Sequence, residues 1–253
     1  MTCCHKEFNG KEIGEKERVA LDAALSRLEL NCSDEVKEKL LLHLALVFKK
    51  NQELNLTRII NFNDAIIDHI EDSLSIYPEI KNISGTILDL GTGAGFPGIP
   101  LALYSKKEFY LLDSVKKKAR AVKDFVFQLG IENFVHVFDL RSEEMASKRP
   151  ASFSGVVMRA VSQTPVCIEL AAPLLEQLGR LILLKSDISD TEEQAGLEAA
   201  KILGLEPVHK HSLTIGSEEK RKRNIFVFKK VREPEIKLPR RPGMAAKRPL
   251  VSF

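Results

Sequence analysis

Apolar residues recur at helical spacing through the first third of the chain. The first series runs from Val19 to Leu28, and the second runs from Val36 to Val47 after Ser33, a residue type that caps helix N-termini. A third series begins near Asn63 and continues through Ile66 and Ile70 to Leu74. The pattern predicts a helical N-terminal extension over residues 1–84 that packs on a following core.

From Thr86 onward the pattern changes to short β-type runs that alternate with helical stretches. The predicted strands are Ile87–Leu90, Phe109–Leu112, Phe134–Phe138, Gly155–Met158 and Leu181–Leu184. The predicted helices between them are Gly98–Ser105, Val115–Leu129, Ser142–Ser147 and Pro165–Leu178. This alternation is typical of βαβ units, so we expect an open, doubly wound parallel sheet.

Two further strand-like runs follow a helix predicted near Thr191–Leu203. They are Pro207–Thr214 and Asn224–Lys230, joined by a charged loop over residues 218–223 whose length suits a hairpin. A parallel sheet that ends in an antiparallel hairpin is typical of class I methyltransferases, whereas dinucleotide dehydrogenases usually continue with a second parallel half. We therefore predict a Rossmann-like α/β domain over residues 85–253, with a proline-rich tail at 232–253.

The distribution of charge distinguishes this tail from the rest of the chain. The formal net charge of the 253 residues is only +3. Residues 220–253 hold twelve Lys or Arg against two acids, a net charge of +10, so residues 1–219 carry 3 − 10 = −7. Phosphate backbones attract such a basic cluster, although a solvated tail is the plain alternative.

Cysteine spacing and hydropathy narrow the class of protein further. Cys3, Cys4, Cys32 and Cys167 lack the spacing of a structural zinc site, so we predict reduced thiols and no metal. The N-terminus has no apolar signal region, and the longest apolar run, Leu40 to Phe48, is short and interrupted by His43. These features predict a cytoplasmic protein that does not enter a membrane.

The glycine-rich stretch after the first predicted strand is the strongest sign of a cofactor. Asp89 is followed by Gly91, Gly93 and Gly95, and such a loop brings ligands close to the backbone at a helix N-terminus. Gly93, Gly95 and Gly98 also satisfy the dinucleotide pattern G-x-G-x-x-G, so nicotinamide or flavin binding stays open, as does a turn without ligand. Asp89 favours S-adenosylmethionine, because an acid can meet its ammonium group, directly or through water, and would repel a pyrophosphate.

Asp113 ends the second predicted strand, where a carboxylate can accept both hydroxyls of a ribose. Methyltransferases and dehydrogenases both use an acid at this place, so Asp113 indicates a nucleoside without choosing between them. A helix N-cap before Val115 is the structural alternative.

Several segments in the same order resemble the bacterial 16S rRNA guanine-N7 methyltransferases, also called glucose-inhibited division protein B. The matching segments are Asn55–Thr57, His69–Leu74, Gly91–Pro100, Leu112–Ser114, Arg141–Glu144, Arg159–Val161, Pro239–Gly243 and Lys247–Leu250. Together they cover the chain from about residue 51 to residue 250. The extended glycine loop combined with the basic C-terminal motif is far more specific than either feature alone.

This resemblance implies particular cofactor contacts. They are Gly91 and Phe96 in the loop, Ser142 and Glu143 after the third strand, and Arg159 after the fourth. Ser142 stands where alanine is expected, Phe96 could be core, and Glu143 could be a first-turn helix acid. Because Arg159 follows a buried strand, an acid, a cofactor carboxylate or an RNA phosphate should face it.

The chemistry implied by the resemblance needs no general base, because guanine N7 carries a lone pair and no proton. Catalysis should come chiefly from positioning, for which His69, Asp72 and Arg159 are the candidates. His69 and Asp72 are three residues apart on one helix and share a face, although a polar helix cap is equally consistent. The Asn/Asp-Pro-Pro-aromatic motif of amine methylation is replaced by Arg159-Ala160-Val161-Ser162, and Cys167 is predicted to be core rather than a nucleophile.

The expected partner is 16S rRNA or the small ribosomal subunit. The expected cofactor is S-adenosylmethionine, which is converted to S-adenosylhomocysteine, and the protein is expected to be a monomer. Predicted RNA contacts are Lys116, Lys117, Lys118, Arg120, Arg240, Arg241, Lys247 and Arg248. Two alternatives are a dinucleotide-dependent oxidoreductase and a non-catalytic RNA- or ribosome-binding protein. The sequence leaves the target nucleotide and the form of the rRNA substrate open.

Overall fold

A computed structural model describes residues 7–8, 11–12, 14–217 and 219–252. The strands are β1 (Glu7–Phe8), β2 (Lys11–Glu12), β3 (Ile87–Leu90), β4 (Phe109–Leu112), β5 (Val135–Phe138), β6 (Phe153–Arg159), β7 (Leu175–Lys185), β8 (Leu205–Ile215) and β9 (Arg221–Lys230). The helices are α1 (Glu15–Arg27), α2 (Asp34–Leu54), α3 (Phe62–Ala65), α4 (Asp72–Leu74), α5 (Tyr77–Ile80), α6 (Gly98–Ser105), α7 (Lys116–Leu129), α8 (Ser142–Lys148), α9 (Thr164–Ala171), α10 (Asp190–Ile202) and α11 (Met244–Lys247). A π-helical segment, Ile66–Glu71, joins α3 to α4.

Seven strands form one sheet in the order β5-β4-β3-β6-β7-β9-β8. The five strands from β5 to β7 are parallel, while β9 runs antiparallel to both β7 and β8. Strands β3 and β4 consist of buried apolar residues apart from Asp89, as expected of strands covered on both faces. The predicted doubly wound α/β fold with a terminal antiparallel hairpin is confirmed.

Some predicted boundaries are wrong. The helix predicted over Pro165–Leu178 ends at Ala171, and β7 begins at Leu175. Pro173 lies between them, and a proline cannot donate the backbone hydrogen bond that would continue a helix. The short pair β1–β2 lies in a segment predicted to be helical. Two of the cysteines, Cys3 and Cys4, lie outside the described residues, and so does Glu218, the first residue of the predicted hairpin loop.

Each face of the sheet has its own hydrophobic core. The first core joins α6 and α7 to the N-terminal helices α1, α2 and α3, with Leu21, Leu44 and Ile70 fully buried. The second joins α8, α9 and α10 to the opposite face and extends to Leu238 and Leu250 of the tail. The N-terminal helices thus cover one face of the sheet, and the boundary at residue 84 stays a prediction.

The π-helical segment changes how the third predicted helix meets the sheet. A π turn inserts an extra residue into the helical ladder and is frequent at functional sites. Here the segment and the following residue direct Asp68, His69 and Asp72 toward Arg159 at the end of β6. Among the described residues, no helix is long and apolar enough to cross a membrane.

Candidate functional site

A cleft with a volume of about 770 Å³ opens at the carboxyl end of the parallel strands. Its walls come from the glycine loop after β3, the ends of β4 and β6, the first turn of α8 and the π-helical segment. The tail contributes Gly243 and Ala245. Ligand sites of open α/β sheets occur at this edge, and the volume suits a nucleoside-sized molecule.

The glycine loop is fastened to the neighbouring strand by its own backbone. The amides of Gly91 and Thr92 donate to the carbonyl of Leu112 over 2.8 and 3.0 Å. Gly91 has a φ of +82°, and a Cβ there would lie 2.6 Å from Val161. Gly93 has a φ of +60° and lines the cleft, but nothing lies within 4 Å of the position its Cβ would take. A glycine at Gly93 therefore keeps open a part of the cleft that a side chain would fill.

Asp113 lies beside this loop and lines the cleft. One carboxylate oxygen accepts the amide of Gly93 over 3.0 Å, and the other accepts the amide of Val115 over 2.8 Å. The structural alternative, a helix N-cap, is wrong: Val115 occupies the N-cap position of α7, and Asp113 accepts the Val115 amide ahead of the helix. Each oxygen still has a second lone pair, so the carboxylate can also accept hydroxyls.

Asp89 and Gly95 are not among the residues that line the cleft, so the structure disfavours the direct contact predicted for Asp89, and the contact through water stays a prediction. The Asp89 side chain is fully buried and accepts hydrogen bonds from the Thr92 hydroxyl over 2.7 Å and the Gly98 amide over 2.8 Å. Burial raises the pKa of this carboxyl to about 6, and its Oδ1 atom has no hydrogen-bond partner. Asp89 thus holds the two ends of the loop together from beneath.

Ser142 and Glu143 begin α8 and line the cleft next to Asp113. The Ser142 hydroxyl donates to the carbonyl of Leu170 over 2.7 Å, so its side chain is already engaged. Glu143 accepts the amide of Gly243 in the tail over 2.8 Å. What Ser142 offers a ligand is its backbone at a helix N-terminus.

Arg159 lies at the end of β6 and lines the cleft opposite Asp113. Its guanidinium donates to Asp72 over 3.0 Å and to the carbonyl of Asp68 over 2.7 Å, and it lies 5.4 Å from the centre of the Phe96 ring. Of the partners predicted for this cation, the structure provides an acid, Asp72. Asp72 is also bound by Arg223 over 2.8 Å, which leaves Arg159 able to face a second anion.

His69 connects this cluster to the glycine loop. Its ring stacks on Phe96 with centroids 4.4 Å apart and planes 11° apart. Nε2 lies 2.9 Å from the Thr57 hydroxyl, while Nδ1 faces Arg159 at 3.5 Å and must therefore act as acceptor. Burial, followed by the charge of Arg159, lowers the pKa of His69 to about 3. A neutral, buried imidazole is suited to positioning rather than to proton transfer at neutral pH.

His43 of α2 is a loop contact that the sequence analysis did not single out. It is fully buried beneath the loop, lies 3.0 Å from the carbonyl of Ala94 through Nε2, and contacts the Phe96 ring at 4.5 Å between centroids. Burial lowers the pKa of His43 to about 4, and its Nδ1 atom has no partner. The available signal was a lone histidine on the apolar face of a buried helix.

The buried state of His43 predicts a pH dependence of stability. Its pKa falls from 6.5 to about 4 on folding, so its contribution is complete above pH 6.5 and is lost as the pH falls toward 4. Between pH 7 and pH 5 the loss from this group is about 2 kcal/mol. We expect His43→Gln to lower stability at pH 7 but to flatten the decline by about that amount, as measured by urea unfolding. His69 also has a lowered pKa and keeps its own part of the decline in this variant, so an unchanged decline would show that His43 does not contribute.

Arg223 and Lys185 also line the cleft and were missed by sequence reasoning. Arg223 bridges Asp68 and Asp72, and Lys185 pairs with Glu192 over 2.9 Å. Their partners lie on other elements, so no local pattern indicates them. Cys167 is buried in α9, and burial raises the pKa of its thiol to about 11, in agreement with the prediction of a core residue.

The structure corrects one of the predicted RNA contacts, Arg240. Its Nε atom and one terminal nitrogen donate to the two carboxylate oxygens of Glu169 in α9, over 2.7 and 2.5 Å, and the Glu169 side chain is only 4 % exposed. Arg240 therefore anchors the tail to the core instead of facing solvent. Arg241, Lys247 and Arg248 are exposed, as are Lys116, Lys117 and Arg120 on α7, whereas Lys118 lines the cleft.

Comparisons with known proteins agree on a family. A family model described as GidB, rRNA small subunit methyltransferase G, matches residues 36–225. Ribosomal RNA small subunit methyltransferase G of Bacillus pumilus is 31% identical over 233 residues, covering 90% of this chain and 96% of the relative. The enzyme of the same name from Carboxydothermus hydrogenoformans is 35% identical over 224 residues, or 85% and 93% of the two chains. The solved structure of YcgJ from Bacillus subtilis has a TM-score of 0.50 at 17% identity, covering 63% of this chain and 98% of that one.

Proposed function

Because the chain belongs to the GidB family of rRNA small subunit methyltransferases, we propose that it methylates N7 of a guanine in 16S rRNA, with the cleft beside the glycine loop as its active site. It is an S-adenosylmethionine-dependent methyltransferase. The two alternative predictions, a dinucleotide-dependent oxidoreductase and a non-catalytic RNA- or ribosome-binding protein, are therefore wrong.

The observation that carries the proposed site is the fit of the cleft to the cofactor. The unfilled side of Gly93 allows a close approach to the backbone, and Asp113 next to it can accept ribose hydroxyls. Ser142 and Glu143 border the same end, while Arg159 provides a cation at the other for the cofactor carboxylate or for RNA. Residues that would hold S-adenosylmethionine are therefore Gly91, Gly93, Phe96, Asp113, Ser142, Glu143 and Arg159, with Asp89 and Gly95 shaping the loop.

The chemistry needs little more than alignment. S-adenosylmethionine supplies an electrophilic methyl group, and guanine N7 supplies a lone pair without losing a proton. His69 is neutral and enclosed by Phe96, Thr57 and Arg159, so it fixes the shape of the pocket and takes no proton. Asp72 holds Arg159 in place. Holding two reactants in line is itself worth several orders of magnitude in rate.

RNA is proposed to bind across exposed cations that flank the cleft. Lys116, Lys117 and Arg120 lie on α7 directly after Asp113, and Arg241, Lys247 and Arg248 lie on the tail, which contacts the cleft wall at Glu143. Lys118 lines the cleft itself. Because N7 lies in the deep groove of A-form RNA, the target guanine should be in a loop or an opened segment.

Replacing Arg241, Lys247 and Arg248 together by glutamine should weaken binding to 16S rRNA. Three lost phosphate contacts would reduce the slope of log affinity against log salt by about 2. The affinity for S-adenosylhomocysteine should not change, because none of these side chains lines the cleft. Filter binding at several salt concentrations measures the affinity for RNA and its salt slope, and isothermal titration calorimetry measures the affinity for S-adenosylhomocysteine.

A matched control replaces Lys106, Lys148 and Lys201 by glutamine. These exposed lysines follow or end α6, α8 and α10, at the edge of the sheet opposite the cleft. The charge change is identical, so only the tail variant should lose salt sensitivity. Equal losses in the two variants would mean that net charge, not the tail surface, governs RNA binding.

The test of the proposed function is transfer of labelled methyl groups from S-adenosylmethionine to RNA from a strain lacking this protein. Label recovered as 7-methylguanosine in 16S rRNA would support the proposal. Label at another atom of the rRNA would contradict the N7 assignment, and no label in naked rRNA or in small subunits would contradict the activity. A cytoplasmic location and a monomeric state remain predictions.

A further inference from the structure

Three metal-ligand side chains converge at the edge strand β8, away from the cleft. His209 Nε2 lies 3.1 Å from Glu79 Oε2, and His211 Nδ1 lies 3.9 Å from Glu79 Oε1. One ligand atom from each residue lies within 4.8 Å of the other two, and this is the only such group of three among the described residues. Contrary to the absence of a metal predicted from cysteine spacing, we propose that Glu79, His209 and His211 bind a divalent transition-metal ion such as Zn²⁺.

The strand places both histidines on the same side. Residues 209 and 211 alternate with residues of the other face. They are in phase with Leu213, which packs against the first core, and with the fully buried Ile215. An irregularity between Pro207 and His209 in the pairing with β9 sets this phase. Glu79, on the short helix α5, lies over the same face.

The charge balance of the cluster favours a cation. The Glu79 side chain is only 11% exposed, while those of His209 and His211 are 41% and 40% exposed. In the described part of the chain its ion-pair partners are these two histidines, and no lysine or arginine is among them. Imidazoles carry a positive charge only when protonated, so a divalent ion would balance the largely buried carboxylate while accepting the lone pairs of both imidazoles.

The donor set and spacing suit zinc. Two nitrogens and one carboxylate oxygen are common zinc ligands, and water can complete a tetrahedron. Ligand atoms around a tetrahedral zinc ion lie about 3.3 Å apart, given bonds of about 2.0 Å. The histidine–glutamate separations of 3.1 and 3.9 Å lie close to this value, and all three ligand atoms lie within 4.8 Å of one another. A bound ion would join α5 of the N-terminal segment to the outer edge of the sheet.

The test uses the untagged full chain with Cys3, Cys4 and His5 replaced by serine, serine and asparagine, because these are also metal-binding residue types. Equilibrium dialysis against Zn²⁺ should give one ion per chain, and Co²⁺ should give the visible absorption of a tetrahedral site. Saturating Zn²⁺ should raise Tm by about 5 °C, because the ion binds the folded chain only. His209→Gln with His211→Gln should weaken Zn²⁺ binding at least about a hundredfold, and Glu79→Gln about tenfold.

The matched control is His136→Gln. His136 also pairs with a glutamate, Glu108, over 3.2 Å, but without a second histidine. Zn²⁺ affinity should be the same in this variant as in its parent, and metal-free Tm values of all variants check that they fold. No binding at about 0.1 mM Zn²⁺, or equal affinity in the double histidine variant and its parent, would overturn the proposal. Neither outcome depends on methyltransferase activity.

Discussion

Replacing Arg159 by methionine is expected to reduce the rate constant of methyl transfer at least about a hundredfold. Arg159 lines the cleft and connects the Asp68 carbonyl and the Asp72 carboxylate to the Phe96 ring of the glycine loop. Methionine keeps much of the apolar volume but none of the donors. Single-turnover kinetics with saturating 16S rRNA measure the effect.

Arg221→Met is the matched control for this variant. Arg221 binds Asp68 over 2.9 Å and Asp64 over 3.1 Å, and its side chain is 22% exposed against 16% for Arg159, but it does not line the cleft. Both variants should lose a similar amount of unfolding free energy, on the order of 1–3 kcal/mol. Similar losses of rate in both would show that Arg159 acts only through the stability of the cluster.

Gly93→Ala is expected to weaken binding of S-adenosylhomocysteine at least about a hundredfold. The new methyl group would enter the open side of the loop, where the proposed cofactor approaches the backbone beside Asp113. Isothermal titration calorimetry measures the affinity directly. Methyl transfer at subsaturating cofactor should fall in proportion.

Gly130→Ala separates this effect from backbone strain. Gly130 caps α7 with a φ of +62°, close to the +60° of Gly93, and nothing lies within 4 Å of its Cβ position either. Both substitutions should cost about 1 kcal/mol of stability, since both force alanine into the left-handed region. Only Gly93 lines the cleft, so cofactor affinity should be normal in Gly130→Ala; equal affinities in the two variants would contradict the proposed site.

The elements that the sequence predicts best are those whose pattern is local. Strands Ile87–Leu90 and Phe109–Leu112 and helix Gly98–Ser105 have their predicted bounds, because each is a buried apolar run next to glycine or charged residues. The start of strand β7 was missed because residues 176–178, which follow the buried Leu175, are exposed and show no apolar pattern. Leu175 itself pairs with Phe153 of β6 ahead of an irregularity in the pairing, a contact that no local pattern reveals.

In the candidate site, too, the local sequence indicates some residues, whereas others depend on contacts between distant parts of the chain. Asp113 and Arg159 could be named because each follows a buried strand, and an acid was among the partners expected for Arg159. That the acid is Asp72, and that Arg223 shares it, depends on contacts across 87 and 151 residues. The count of charges in the tail also led to the wrong prediction that Arg240 contacts RNA. Its partner Glu169 lies 71 residues away, in a helix predicted only from its apolar residues.

The fastening of the tail limits what a deletion experiment can reveal. Removing residues 232–253 would take away the exposed cations, but it would also leave Glu169 without Arg240 and Glu143 without the amide of Gly243. The first is an almost fully buried carboxylate, and the second lies in the wall of the cofactor cleft. A shortened chain would thus lose substrate contacts, fold stability and cleft geometry together. Point substitutions at exposed positions are the only changes that separate the three.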